Sequence, residues 1–422
     1  MPLTTAPPLL VHEAQRKILD RVRTLEAEAV PLVAALGRVA AADVHAGLDL
    51  PPWDNSAMDG YAVRAGDVAP GVRLEVALDL PAGSASGQRL PDGAAARIMT
   101  GAPLPEGADA VVPVEETAGP IGEGRFAEPG EHVRFETRPE AGDHVRRRGE
   151  DVRRGQAVLH SGDVVSPARI ALAATAGCPS IPAVRRPRVA IVSTGDELVE
   201  LDRAGTPDRI VNGNAYGLAA QVTEAGGMPR ILPIAPDDPA AIRSAIRSAL
   251  DDDVVVTIGG VSVGAKDLVR EALEDADVDL VFWRAAIRPG GPVAFGVSAA
   301  GRPVFGLPGN PVSAYVTFEL FARPAILAMG GRRRPFRRVV RAVLAAPVST
   351  RSEKATYLRV RLEPEGSGWR ARLTGAQGSA ILSGLASADG LAVVPVGIAD
   401  LPAGAEVDVL PLTDRTLEGE SP

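Results

Sequence analysis

Apolar residues repeat along the chain with two different spacings, and the change from one to the other divides it. In residues 11–25 they fall at Val11, Ala14, Ile18, Val22 and Leu25, the three-or-four spacing of an amphipathic helix. Across 51–144, short runs such as VRLEVAL and DAVVPVEE alternate with glycine and proline, which predicts a small β domain. The stretch GDVVSPARIALAATAG returns to helical spacing, so one domain is predicted to be interrupted by another. From 188 to about 330, β-like runs at 189–193, 230–234, 254–258, 279–282 and 303–307 alternate with helical patterns at 215–225, 239–250, 267–276 and 311–329. Such alternation predicts a doubly wound parallel sheet with right-handed crossovers. Beyond Gly330, VVRAVLAAPV, ATYLRVRLE, GWRARLTG and LAVVPVG predict a further all-β domain, with a barrel among the arrangements open to it.

Ligands of doubly wound sheets bind beyond the carboxyl ends of the strands. Those ends read STGDE (193–197), IAPDD (234–238), IGGVSVGAKD (258–267) and GLPGNP (306–311). Any one acid there is as well explained as a helix cap or a solvated loop residue, but four polar ends together point to a site. The third end contains G-V-S-V-G, the spacing of a hydrolase nucleophile elbow around Ser262. That chemistry needs a histidine base downstream, and all five histidines, His12, His45, His132, His144 and His160, lie upstream. What remains is a loop of close-approaching backbone built on Gly259, Gly260 and Gly264, whose N–H groups can hold an anion, followed by Asp267, a carboxylate placed to hold a cation. In the fourth end Asn310 is expected to cap the next helix, with Gly309 as a tight bend and Pro311 in the first turn. A helix start there attracts an oxyanion.

Composition narrows the function classes. A length of 422 residues suggests two to four domains. A formal charge of -8 argues against nonspecific nucleic-acid binding while leaving room for a local basic pocket. One cysteine, Cys178, excludes an intramolecular disulfide framework, and no Cys/His cluster is present to bind zinc. The N-terminus lacks a basic start followed by an apolar segment, and no run of about 18 apolar residues is evident, so a cytoplasmic protein with no membrane partner is expected. Lysine occurs only at Lys17, Lys266 and Lys354, which makes nearly all the positive charge arginine. The run RRRPFRR lacks interleaved aromatics and reads as a solvated linker.

Assembled in order, the motifs PPWDNSAMDGYAVR (51–64), RIMTGAPLPEGADAVV (97–112), VRRRGEDV (145–152), VAIVSTGDEL (189–198), IGGVSVGAKD, FWRAAIRPGGP (282–292) and GLPGNPVSA (306–314) make the chain resemble the molybdopterin molybdenumtransferase family. These enzymes of molybdenum-cofactor synthesis include the E domain of gephyrin, and the resemblance spans nearly the whole chain. It implies a discontinuous helical domain (1–50 and 143–182), an inserted β domain (51–142), an α/β molybdopterin-binding domain (183–331) and a C-terminal β-barrel-like domain (332–422). It also implies a homodimer in which Asp59 and Thr100 serve the partner's site.

The chemistry the resemblance implies takes adenylylated molybdopterin and molybdate, releases AMP and leaves molybdenum on the dithiolene sulfurs. By motif, Asp59, Thr100, Asp151, Glu197, Asp237 and Asp267 match positions tied to activity. Glu197, Asp237 and Asp267 are expected to position Mg²⁺ and the pterin phosphate, a hard cation suiting oxygen ligands. Substrate contacts are expected from Ser193, Thr194, Gly195, Gly259, Gly260, Ser262, Gly264, Pro308, Gly309, Asn310, Ser313 and Ser379, with Ser383 as a further contributor. Arg284 and Arg288, also expected as substrate contacts, stand where the family commonly carries lysine, and Gly291 where another lysine can occur. The nearest enzymatic alternative is molybdopterin adenylyltransferase, which usually lacks the inserted and C-terminal β domains.

Overall fold

A computed structural model describes residues 7–85, 87–119, 122–123, 126–260, 268–351 and 353–412. The chain forms two compact units. Ala29–Leu36 and Ala42–Pro182 make the smaller one, while Met1–Glu28, Gly37–Ala41 and Ala183–Pro422 make the larger.

The smaller unit is organised on a seven-stranded sheet in the order Ala110–Pro113, Gly60–Val63, Ala94–Ile98, Arg73–Leu80, His132–Phe135, Thr117–Gly119, Gly122–Glu123. Apolar alternation along those strands buries Tyr61, Val76, Val112, Val133 and Phe135 in one core. Tyr61 meets Phe135 edge-on at 6.1 Å, and its hydroxyl accepts from Ala127 N–H at 2.6 Å, so the buried phenol oxygen is satisfied. Gly60 is required by close approach: a Cβ there would stand 2.1 Å from the Val112 carbonyl oxygen on the paired strand. The helical pattern after the sheet is realised as α2 (Pro167–Thr175), started by Ser166, whose hydroxyl accepts from Arg169 N–H at 3.3 Å.

In the larger unit the first helix, α1 (Val11–Leu19), is shorter than the 11–25 pattern predicts. Val22 and Leu25 still pack on the same core as Ala14 and Ile18, but as irregular chain, with Leu25 N–H donating to Met329 O at 2.9 Å. The helix therefore packs with the α/β elements.

The α/β sheet contains β1 (Arg188–Ser193), β2 (Met228–Ile231), β3 (Val254–Ile258), β4 (Val278–Arg284), β6 (Pro292–Ser298) and β7 (Pro303–Leu307), in the order β2-β1-β3-β7-β6-β4; β5 (Ile287–Arg288) lies elsewhere. The first four run parallel, and β6 runs antiparallel to both neighbours. The sequence pattern did not mark β6, whose run PVAFGVS starts at the last residue of the motif FWRAAIRPGGP and carries Gly296 in its interior. α4 (Pro239–Ala249) and α5 (Leu268–Glu274) pack on one face against Ala190, Val192, Val255 and Val304. α1 and α3 (Gly213–Glu224) cover the other face, over Val189, Ile191, Val254 and Val256. Helices on both faces explain why β3 is apolar at nearly every position, and each such side chain contributes about 1.5–3 kcal/mol.

The C-terminal part closes on itself. β8 (Val340–Leu344), β9 (Ala355–Glu365), β10 (Gly368–Leu373), β11 (Gly390–Val394) and β12 (Glu406–Pro411) pair in the order β9-β10-β8-β12-β11, and β9–β11 pairing completes a five-stranded barrel. The short strand β5 adds to it, parallel to β9, with Ile287 opposite Ala355 and Arg288 opposite Thr356.

α6 (Pro311–Met329) follows β7 and is apolar and long enough to cross a membrane by composition, yet 78% of its apolar window is buried inside the protein. It is a core helix. Its middle makes a π turn, Phe318–Ala322, which carries Glu319 into the interior against Arg337 at 2.5 Å. Arg323 lies 3.6 Å from the same carboxylate. Removing one partner of a buried pair strands the other. Glu319→Ala is therefore expected to cost about 3 kcal/mol in urea unfolding, and joint replacement of Glu319 and Arg337 by methionine much less; equal losses from both variants would show that the pair itself is the stabilising element.

Candidate active site

A cleft of about 970 Å³ opens at the carboxyl ends of β1, β3 and β7, beside the point where the strand order reverses. Thr194, Gly195, Asp196 and Glu197 line it after β1, Asp237 after β2, Gly259 and Gly260 after β3, and Gly309, Asn310 and Pro311 after β7. Gly195 has φ +142°, and a Cβ there would meet Glu197 Oε2 at 2.5 Å, so the glutamate carboxylate folds back over a bare α-carbon. Gly260 is equally constrained, at φ +70° with Val269 Cγ2 2.1 Å from its absent Cβ.

Hydrogen bonds between loops hold this rim. Asp237 N–H donates to Asp196 Oδ1 at 3.0 Å, which ties the turn after β2 to the turn after β1. Asn214 Nδ2 donates to Gly309 O at 2.7 Å, tying the start of α3 to the start of α6. Ser193 lies beneath the rim, its hydroxyl donating to Asn212 Oδ1 at 2.9 Å. It supports the cleft and is not part of its lining.

A second pocket, about 410 Å³, lies where the α/β part meets the barrel. It is lined by Arg288, Gly290, Gly291, Ser313, Arg351, Lys354, Gln377, Gly378 and Ser379 among others. The two cavities share a wall. Asn310 and Pro311 face the first and Ser313 the second, while Ala380 and Leu382 face the first and Ser379 the second. The wall is joined across its middle by Val312 N–H donating to Ser379 O at 3.1 Å. One cavity is rimmed by carboxylates, the other by cations.

Three of the residues singled out by sequence sit in the smaller unit. Asp59 Oδ1 accepts from Thr100 N–H at 2.6 Å and from Thr100 Oγ1 at 2.7 Å. These bonds, the backbone one first, hold the Asp59 carboxyl below its usual range. Asp151 is exposed, and its N–H donates to Leu50 O at 3.0 Å.

Comparison with known proteins decides the family. Residues 9–177 match the family described as MoeA N-terminal region (domain I and II), 190–328 the one described as probable molybdopterin binding domain, and 341–412 the MoeA C-terminal region (domain IV). The chain is 40% identical over 414 residues to molybdopterin molybdenumtransferase 2 of Mycobacterium tuberculosis, covering 96% of this chain and 99% of that one. It is 35% identical to the molybdopterin molybdenumtransferase of Bacillus subtilis over 410 residues, 96% and 94% of the two chains. The chain belongs to the molybdopterin molybdenumtransferase family. It is thus a transferase. A crystal structure of the molybdopterin biosynthesis MoeA protein from Pyrococcus horikoshii superposes with TM-score 0.82 at 30% identity, covering 96% of this chain and all of that one. Its fold is that of the multidomain chain described above.

Within the family frame, the structure gathers Thr194, Gly195, Glu197, Asp237, Gly259, Gly260, Gly309 and Asn310 around one cleft, and Arg288, Ser313 and Ser379 around the adjoining pocket. Ser262, Gly264 and Asp267 lie outside the described residues. Arg284 and Pro308 line neither cavity; Pro308 is buried, and Arg284 ends β4 with its carbonyl accepting from Leu9 N–H. Asn310 occupies the N-cap position of α6 but makes no side-chain capping bond, so its amide is not spent on the helix. Gly309 does lie in a bend, without left-handed backbone, and the Cα of Gly259 stands 3.8 Å from where a Cβ on Gly309 would be.

Sequence reasoning missed Arg351, Lys354, Gln377 and Arg359. Arg359 is buried in β9 and clamps the pocket's far wall, with Nη1 donating to Gly378 O at 3.0 Å and Nη2 to Ala376 O at 2.8 Å. Burial lowers its pKa. No local signal marks an inward arginine in an alternating strand.

The paired bonds at Asp59 yield a test. A carboxyl held low is charged, and its contact intact, above its unfolded value; the contact is lost as pH falls through the folded value. Thr100→Val removes one of the two donors, so carbon-detected NMR titration should show the Asp59 pKa rising toward its usual range. An unchanged pKa would mean that the hydroxyl bond does not form.

Proposed function

We propose that the chain is a molybdopterin molybdenumtransferase that joins molybdate to adenylylated molybdopterin with release of AMP. The observation that carries this reading is the shared wall: an acid-rimmed cleft with glycine loops beside a cationic pocket lined by serines. The cleft suits a substrate bearing phosphates. Glycine-loop amides can hold the phosphate oxygens, and Glu197 and Asp237 are hard oxygen donors. The pocket suits a tetrahedral oxyanion, with Arg288 supplying a forked donor and Ser313 and Ser379 their hydroxyls.

Glu197 and Asp237 fit Mg²⁺, which is ordinarily held by one or two carboxylates together with substrate phosphate oxygens. The third carboxylate expected there, Asp267, lies outside the described residues. When bound there it would neutralise charge on the phosphoanhydride being cleaved. The protein's own part is to orient. Glu197, set by Gly195, and Asp237, set by Asp196, hold their carboxylates at the cleft rim, while the wall from Asn310 to Ser313 keeps the oxyanion next to the pterin. A single cysteine with no disulfide supports a cytoplasmic setting. We further propose a homodimer in which Asp59 and Thr100 complete the partner's site.

A reconstitution containing adenylylated molybdopterin, molybdate and Mg²⁺, read by AMP release, tests the reaction. Asp237→Asn should lower turnover by roughly a hundredfold or more while the protein stays folded. Mixing Asp59→Asn with Asp237→Asn chains should restore activity, because each mixed dimer regains one intact site, to about a quarter of wild type at random exchange. ATP-dependent adenylylation without metal transfer would overturn the reaction proposed, and a silent mixture would overturn the shared site.

A further inference from the structure

The pocket beside the barrel holds more positive charge than the reading above uses. Arg288 comes from β5, and Arg351 and Lys354 from the turn that precedes β9. Several arginines elsewhere are paired, among them Arg185 with Asp253 at 2.6 Å, Arg230 with Asp252 at 2.6 Å, and Arg337 with Glu319. Among the described residues no carboxylate forms an ion pair with Arg288, Arg351 or Lys354. Three like charges around one cavity repel, and an anion within it relieves that repulsion.

Lys354 is placed with particular economy. Its N–H donates to Arg351 O at 3.3 Å, which closes the turn, and its Nζ lies 3.4 Å from the position a Cβ on Gly291 would occupy. Gly291 does not adopt the left-handed conformation that demands glycine, and its absent Cβ meets nothing closer than 3.4 Å. The backbone therefore accepts a side chain at 291. The space such a side chain would cross is filled instead by an ammonium arriving from the barrel. An ammonium is a compact point charge with three donors, which complements the planar fork of Arg288 on a tetrahedral ion.

We propose that Lys354 is a specificity-determining residue of this pocket: reaching over Gly291, it makes the pocket prefer a doubly charged tetrahedral oxyanion to a singly charged one. This rests on the pocket being the molybdate site. Charge is the deciding variable, because perrhenate is also a tetrahedral oxyanion but carries one charge where molybdate carries two.

The test is titration calorimetry on the full chain with molybdate and with perrhenate. Lys354→Met should weaken molybdate by roughly tenfold, the scale of one lost charge-assisted hydrogen bond, and perrhenate clearly less. Adding Gly291→Lys to that variant should bring molybdate affinity back to within a few fold of wild type, a rescue that a merely structural lysine would not allow. If wild type binds molybdate, Arg288→Met weakens it and Lys354→Met does not, the inference fails and the pocket stands. If Lys354→Met weakens both ions equally and Gly291→Lys restores neither, Lys354 only holds its turn and the inference also fails. If neither wild type nor any variant binds molybdate, the pocket assignment itself falls.

Discussion

A single backbone hydrogen bond, from Val312 N–H to Ser379 O at 3.1 Å, joins the first turn of α6 to a loop of the barrel, and the chemistry proposed above is organised around it. The bond consumes one of the N–H groups that a helix start leaves free, at a place where those groups would otherwise face solvent or a ligand. It thereby makes one wall from two segments nearly seventy residues apart in sequence. One side of that wall faces carboxylates, the other faces cations. Arg359 stiffens it from behind by holding the carbonyls of Ala376 and Gly378.

In the proposed reaction, separating opposite charges with a wall this thin keeps two negatively charged reactants apart until both are bound. A phosphate-bearing substrate and an oxyanion repel, and a protein that brings them together must offset that repulsion at each end independently. The carboxylate rim suits a substrate whose charge is shared with a cation; the cationic pocket suits an ion that arrives bare. The helix between them carries the needed rigidity, since its middle is locked by the buried Glu319–Arg337 pair and its near end by Asn214 on Gly309.

Much of the fold was legible in the pattern of apolar residues. Strands β3 and β7 fall where the runs at 254–258 and 303–307 place them, because a strand buried on both faces leaves an uninterrupted apolar signature. The edge strand β2 was displaced: its four residues are exposed, and the buried Leu232 that drew the reading onward lies past its end. β6 escaped notice because Gly296 interrupts its short apolar run. The motif glycines and acids of the first cleft could be read because each sits at a strand end. The second pocket could not. Its Arg288, Ser313 and Ser379 were named by family resemblance alone, and Arg351, Lys354 and Gln377 join them through the pairing of β5 with β9 and the loop after β10, long-range events with no local period.

The most direct test of the wall as the organising element is anomalous diffraction at the molybdenum edge from crystals of the full chain soaked in molybdate. A peak within hydrogen-bonding reach of Arg288, Ser313 and Ser379, on the barrel side of the wall, is the expected result. Molybdenum found only among the carboxylates of the first cleft, or at neither place in crystals of a chain active in AMP release, would contradict the account.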